Sequence, residues 1–297
     1  MPGTLRLTFQ RHLSSIMLLL LLMVIGACAG PGRQGQLQSL PDSLPASIAS
    51  TTLDPATQRT PPTADAKFNR LSLDNGLSQS TVTCILQDDY GFIWLGTLDG
   101  LNKYDGHQFI VYRHDPDRQD SLSGNTINAI IKDRQGQLWI GTNNGLNRYD
   151  RSTDGFLRFQ NDPRSVYSLS SNDVTSIFED SNGTLWVGTT SGLNRYDPQR
   201  RRFMRYKHDP AQPESLIDDR VQAMAEYPVG TIWIGTPEGL DEFNPSQMTF
   251  QHYQFDLIDR FSLSNPDVRD LLVIGDQLWV ATYGGGLNLW IPQFKRF

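Results

Sequence analysis

The chain has 297 residues, 38 % of them hydrophobic and 20 % charged, with a formal net charge of −6. That length can bury a large core in one or two domains. A mildly acidic chain without a basic block is a poor partner for nucleic acid or another polyanion. Its 25 glycines and 17 prolines favour many turns and short strands over long helices.

At the N-terminus Arg6, Arg11 and His12 precede an unbroken apolar run from Ile16 to Ile25. The run suits a signal-peptide apolar segment and is short for a membrane span. It ends Ile25-Gly26-Ala27-Cys28, which resembles a bacterial lipobox, where small residues precede a lipidated cysteine. The resemblance implies that residues 1–27 are removed and that Cys28 anchors the chain to a membrane. An ordinary cleaved signal and an uncleaved anchor are the alternatives. Cys84 is the only other cysteine. With Cys28 lipidated, neither a disulfide framework nor a cysteine metal site can form. Cys84 falls in an apolar strand pattern and reads as a small core residue. Residues 28–66 are rich in Pro, Ser, Thr, Ala, Gln and Gly, as expected of a disordered tether.

Residues 67–297 are repetitive. Trp94, Trp139, Trp186, Trp233 and Trp279 lie 45, 47, 47 and 46 residues apart. They divide this region into units at about 67–117, 118–164, 165–211, 212–258 and 259–297. Each unit reads as four extended segments, the last marked by an aromatic pair. The pairs are Phe109/Tyr112, Phe156/Phe159, Phe203/Tyr206, Phe250/Tyr253 and Phe294/Phe297. Asp-x-x-Gly separates the first two segments at Asp88, Asp133 and Asp180, and Thr-x-x-Gly separates the next two from Thr97, Thr142, Thr189 and Thr236. Both are turn signals, with Asp or Thr able to bond its own backbone and Gly able to take positive φ. Unit four offers Tyr227-Pro228-Val229-Gly230 as a type I turn, and unit five Gly275-Asp276 as a two-residue hairpin.

The first two segments of each unit are apolar on both sides, so both sheet faces should be covered. Four-stranded sheets stacked face to face at this period predict an all-β β-propeller, here of about five blades. A β-helix is the rival. Residues 68–71 match a fourth segment and predict an additional strand. The last unit ends within its own fourth segment, so the array is expected to be incomplete, the alternative being a closed five-bladed ring.

The string Gly-Leu-Ser-x-x-x-Val followed by Asp-x-x-Gly-x-x-Trp-x-Gly-Thr-x-x-Gly-Leu-Asn-x-Tyr-Asp occupies residues 76–105 and recurs in large part at 125–150 and 172–197. It resembles the two-component regulator propeller repeat. The resemblance implies paired seven-bladed propellers forming the periplasmic input region of hybrid sensor histidine kinases, which often respond to oligosaccharides. A further β-sandwich, a membrane span and a kinase core follow in that family. This chain shows five repeats and no kinase motif, so only the sensing half of that function carries over. A kinase partner, or a kinase region missing at the C-terminal side, is then implied.

The five tryptophans could form a sugar platform but lie mid-strand, as inter-blade core. The recurring aspartates each come with a turn glycine, and His114-Asp115-Pro116 and His208-Asp209-Pro210 sit where a turn belongs. No catalytic set, metal cluster or cofactor motif stands out, so no enzyme activity and no cofactor are expected. The connections before each first segment carry unit-specific polar residues. They are Gln79, Ser80, Asn125, Asn172, Asp173, Asp218, Asp219, Arg220, Asn265 and Asp267. Strand alternation puts these at one mouth of the central channel, where loops on a rigid frame can hold a small polar ligand or an oligosaccharide. The reading is an exported ligand sensor in the periplasm or on the cell surface. Its alternative is a lipoprotein scaffold binding a protein or polysaccharide.

Overall fold

The structure, a computed structural model, describes residues 69–297. The expectations for residues 1–66, including Cys28, lie outside the described residues. Nineteen strands form five antiparallel sheets. Blade 1 holds β1 (Val82–Gln87), β2 (Ile93–Thr97), β3 (Gly100–Tyr104) and β4 (Phe109–Tyr112). Blade 2 holds β5 (Ile127–Lys132), β6 (Leu138–Thr142), β7 (Gly145–Asp150) and β8 (Gly155–Phe159). Blade 3 holds β9 (Val174–Glu179), β10 (Leu185–Thr189), β11 (Gly192–Asp197) and β12 (Arg202–Tyr206). Blade 4 holds β13 (Ala223–Glu226), β14 (Ile232–Thr236), β15 (Gly239–Asn244) and β16 (Thr249–Tyr253). Blade 5 has three strands, β17 (Val268–Ile274), β18 (Gln277–Thr282) and β19 (Gly286–Leu289). Among the described residues the only helix is a single 3-10 turn, Leu73–Asn75.

Each blade is a simple meander, and the first strands of consecutive blades are neighbours. The turns follow local chemistry. The hydroxyl of Thr97 donates to the Gly100 carbonyl at 2.8 Å and accepts the Asp99 N–H at 3.1 Å, closing the β2–β3 hairpin. Thr142, Thr189 and Thr236 repeat the first bond. Gly100 takes φ 116°, which only glycine adopts without strain. In blade 5 Ile274 pairs Gln277 across Gly275-Asp276, the two-residue hairpin expected.

Hydrophobic burial between blades supplies the core. Four clusters of buried side chains fill the four junctions between consecutive blades. At each junction the forward blade face contributes Trp and Leu: Trp94 and Leu101, Trp139 and Leu146, Trp186 and Leu193, Trp233 and Leu240. The rear face of the next blade answers with Ile127, Val174 and Val268 of its innermost strand, and in blade 4 with Val221, two residues before β13. Close approach depends on the glycine of Trp-x-Gly-Thr. A Cβ on Gly141 would stand 2.6 Å from Val174 Cγ1, and one on Gly188 2.6 Å from Val221 Cγ1.

Four expectations change. Residues 69–71 form no strand. The tight turn of blade 4 sits one residue later than a Tyr227–Gly230 turn, because Pro228 O accepts the Thr231 N–H at 3.0 Å. The aromatic position of blade 5 falls three residues later than the sequence pattern predicts. Phe297 N donates to Phe261 O, as Phe203 N does to Tyr167 O, so Phe297 corresponds to Phe203 and Phe294 lies in the preceding turn. Blade 5 therefore has no fourth strand; Ile291 and Arg296 make only an isolated bridge. Finally, two-sided burial holds only at junctions. In β1 exposure alternates along the strand, with Ile85 on the uncovered rear face of blade 1. Leu272, Ile274 and Leu287 are likewise exposed on the forward face of blade 5.

Candidate functional site

The connections between blades converge at one end of the innermost strands, together with the Thr-x-x-Gly turns. The Asp-x-x-Gly turns and the hairpins between third and fourth strands occupy the opposite end. The polar residues singled out by sequence lie on the first of these faces, and most are already engaged there.

Asn125, Asn172 and Asp219 occupy one repeat position. Their side-chain oxygens accept the backbone N–H of His114 at 2.7 Å, Asn161 at 2.6 Å and His208 at 2.7 Å. Each pins the connection where it leaves the fourth strand. Nδ1 of His114 lies 2.7 Å from Leu122 O, and that of His208 2.7 Å from Leu216 O. Among the described residues no group of acids, histidines and cysteines is arranged to hold a metal.

Asp173 and Asp267 bridge blades. Asp173 Oδ1 accepts from Asn128 Nδ2 at 3.2 Å, and Asp267 Oδ1 accepts from Gln222 Nε2 at 2.7 Å. Asp267 also pairs with Arg269, and its N–H is capped by Asn265 Oδ1 at 3.0 Å. Asp218 Oδ1 accepts the Arg220 N–H at 2.8 Å. The Arg220 side chain is exposed and carries no ion pair among the described residues. Gln79 Oε1 accepts the Thr81 N–H. Arg220, with Asp218 beside it, is thus the mouth group most available to a ligand.

A second set of channel residues has no common sequence signal. The innermost strands of blades 1, 2, 3 and 5 carry a β-bulge at Thr83, Asn128, Thr175 and Arg269. A bulge re-aims the extra side chain. In blades 1 and 2 it reaches the next blade: the Thr83 hydroxyl donates to Ile127 O at 2.6 Å, and Asn128 Nδ2 to Val174 O at 2.8 Å. Thr175 donates to Val221 O in the same way. The bulges turn what would be ligand-facing polar groups into ties between blades.

Trp94, Trp139, Trp186 and Trp233 are inter-blade core, as expected, whereas Trp279 is only partly buried, on the uncovered forward face of blade 5; the aspartates do more than shape turns. Trp94 Nε1 donates to Asp88 Oδ2 at 3.0 Å, and Trp139 Nε1 to Asp133 Oδ2 at 2.8 Å. Burial opposes the charge on Asp88. Bonds from Trp94, two backbone N–H groups and Arg151 outweigh it and hold the carboxyl below its usual value. In blade 4, which lacks this aspartate, Trp233 Nε1 turns to Tyr227 O. Cys84 is half-buried against the core of the first junction, and burial pushes its thiol up.

Comparison with known proteins agrees with this architecture. The sequence profile of the family described as "Two component regulator propeller" matches residues 76–99, 121–144 and 168–191. "Histidine kinase P4" of Formosa agariphila is 49 % identical over 55 residues, 18 % of this chain and 4 % of that protein. Among solved structures, the extracellular domain assigned to the hybrid two component system BT3049 of B. thetaiotaomicron superposes with a TM-score of 0.67 at 30 % identity, covering 76 % of this chain and 31 % of that one. The corresponding domain of BT4673 gives 0.58 at 27 % identity, covering 69 % and 26 %. The chain thus spans about a third or less of these relatives. It is an array of propeller blades that carries two-component regulator propeller repeats at those three segments and is similar to the extracellular domains of hybrid two-component systems.

Proposed function

We propose that the chain is an exported ligand-sensing module serving the input side of a two-component system, a binder and not an enzyme. The likeness to extracellular domains of hybrid two-component systems carries this reading. Its sensing surface is the channel mouth, with Arg220 and Asp218 as the groups that meet a small polar ligand or oligosaccharide. Phosphotransfer belongs to a histidine-kinase partner or to a kinase region not present in this sequence. Cys28 is the lipid-attachment site that follows a signal peptide over residues 1–27, and residues 28–66 are the tether.

The test is calorimetric titration of the purified chain with a panel of oligosaccharides. Arg220→Ala is expected to weaken any binding found by about 10-fold or more, the effect of losing one charge-assisted contact. A folded wild-type chain that binds no member of the panel, or a variant that binds unchanged, counts against the mouth. Cys28→Ser should release the chain from membranes in a fractionation; continued membrane association would exclude the lipid anchor.

A further inference from the structure

The end of the array opposite the mouth differs from junction to junction. At the junction of blades 1 and 2, Asp154 stands in the β7–β8 turn at φ 51°. Its Oδ1 accepts the hydroxyl of Tyr112 at 2.8 Å and that of Tyr149 at 2.6 Å. Burial and that carboxylate push the Tyr149 phenol up to about 12. The ammonium of Lys103 lies 5.8 Å from the Tyr149 ring centre. This junction carries its own cation and its own carboxylate.

At the junction of blades 2 and 3 the cation persists and the carboxylate is gone. Arg148 takes the place of Lys103, 5.9 Å from the Trp139 ring centre. Tyr196 replaces Tyr149, and Phe159 replaces Tyr112. The turn residue equivalent to Asp154 is Arg201, in the same conformation at φ 50°. Tyr149 and Tyr112 spend their hydroxyls on Asp154, whereas Tyr196 has no such acceptor. Burial raises the Tyr196 phenol, while the Arg148 charge pulls it back.

Arg148 and Tyr196 help to line a cleft of about 530 Å3, together with Gln135, Arg195, Arg200 and Arg202. Its three acids are occupied. Asp133 takes Gln135 N, Gln137 N and Trp139 Nε1. Glu179 takes Arg134 N, and Asp197 takes both Arg200 and Arg202. Arg148 has no carboxylate partner among the described residues. The cleft therefore has donors in surplus where the neighbouring junction places a carboxylate.

We propose that this cleft binds a small ligand through a carboxylate, which takes the place that Asp154 fills at the first junction and accepts from Arg148 and Tyr196. The overall acidic charge opposes a polyanion, so the ligand carries one such group, as a uronic acid does. The inference does not rest on the mouth being the sensing surface.

The test is calorimetric titration of the full chain with D-glucuronate and with glucose. Glucuronate should bind at least about 10-fold more tightly, as a charge-assisted contact predicts. Arg148→Gln should erase the preference. Arg201→Asp, which recreates the internal carboxylate opposite Tyr196, should erase it too. Arg201→Asn should keep it within about threefold, since it removes only an exposed charge. If Arg148→Gln fails to fold by circular dichroism, Tyr196→Phe removes the hydroxyl alone and should weaken glucuronate but not glucose. Equal binding of the two sugars, or a preference that survives both Arg148→Gln and Arg201→Asp, overturns the proposal. A preference lost in Arg220→Ala would put the carboxylate at the mouth and also overturn it.

Discussion

Trp186 Nε1 donates a 2.9 Å hydrogen bond to Asp180 Oδ2, six residues back across the first hairpin of blade 3. The other carboxylate oxygen accepts Asn182 N at 2.9 Å and Thr184 N at 2.8 Å. One buried side chain therefore closes a turn and fixes the ring on which the next blade packs. Asp180→Ala strands three donors. The loss should be about 2–4 kcal/mol, from roughly 1 kcal/mol per bond plus the desolvation left uncompensated. Asp180→Asn can keep the turn bonds but offers the indole an N–H, so its cost should be smaller. Urea denaturation of both variants beside the wild type checks the order; an Asp180→Asn chain as stable as the wild type would reduce the aspartate to turn chemistry alone.

Leu240 and Leu287 hold the same repeat position on the third strand of blades 4 and 5. Leu240 is 0 % exposed, covered by blade 5, whereas Leu287 is 70 % exposed. Leu240→Ala should cost about 2–5 kcal/mol, the range for a core leucine that leaves a cavity. Leu287→Ala should stay within about 0.5 kcal/mol, as surface changes do. Denaturation midpoints of the two variants, measured side by side, distinguish a repeat position from its environment. Comparable losses would mean that the blade 5 face is covered in solution.

Much of the fold was legible because its signals are local. Thr97 bonds its own hairpin, and Asp180 reads its own turn and a tryptophan six residues away. Neither needs the tertiary structure to be recognised. The end of blade 5 was misread because aromatic residues three apart look alike at two offsets, and only the Phe297–Phe261 backbone bond sets the register. The bulge residues Thr83, Asn128 and Thr175 were missed because they share a direction and not an identity. Polarity at the mouth was visible in the sequence. Whether a polar side chain is free was not, since the partners of Asn125, Asp173 and Asp267 lie 11, 45 and 45 residues away. Of the charged groups named at the mouth, only Arg220 emerges exposed.

The glycine of Trp-x-Gly-Thr gives a test of blade spacing. A Cβ on Gly188 would stand 2.6 Å from Val221 Cγ1 and 2.3 Å from Ser176 Oγ. Gly188→Ala should cost about 1–3 kcal/mol by overpacking. Pairing it with Val221→Ala should recover part of that loss, because the crowding methyl is removed. Blade 5 carries Ala281 at this position, on a face that no blade of the structure covers. Ala281→Gly should therefore gain nothing from relief of crowding. A double-mutant cycle on Gly188 and Val221 that shows simple additivity would refute the steric account.

Blade 4 departs from its neighbours at one buried polar contact, and the departure gives it a pH dependence. In blades 1, 2, 3 and 5 an asparagine on the third strand accepts a serine N–H: Asn102 from Ser78, Asn147 from Ser123, Asn194 from Ser170 and Asn288 from Ser264. In blade 4 the pair is Asp241 and Ile217, joined at 2.9 Å. The second carboxylate oxygen faces His252 Nδ1, and His252 Nε2 lies 2.7 Å from Pro213 O. Both ring nitrogens face acceptors, so the imidazole binds best with both protons. The Asp241 contact raises the His252 pKa above its usual 6.5, against a smaller opposing effect of burial. Burial pushes the Asp241 carboxyl above its usual range, against the bonds from His252 and the Ile217 N–H. A group whose pKa is raised on folding adds stability that is complete below its unfolded value and is lost as pH rises through the folded value. Urea midpoints of the wild type should therefore fall as pH rises above the ordinary imidazole value of 6.5. The triple variant Ile217→Ser, Asp241→Asn, His252→Arg reproduces the arrangement of blades 2 and 3, where Arg158 and Arg205 occupy the histidine position. Its midpoint should lose that slope. A wild-type profile already flat from about pH 6 to about pH 9 would show that the ring keeps one charge state throughout, and the account of blade 4 would fail.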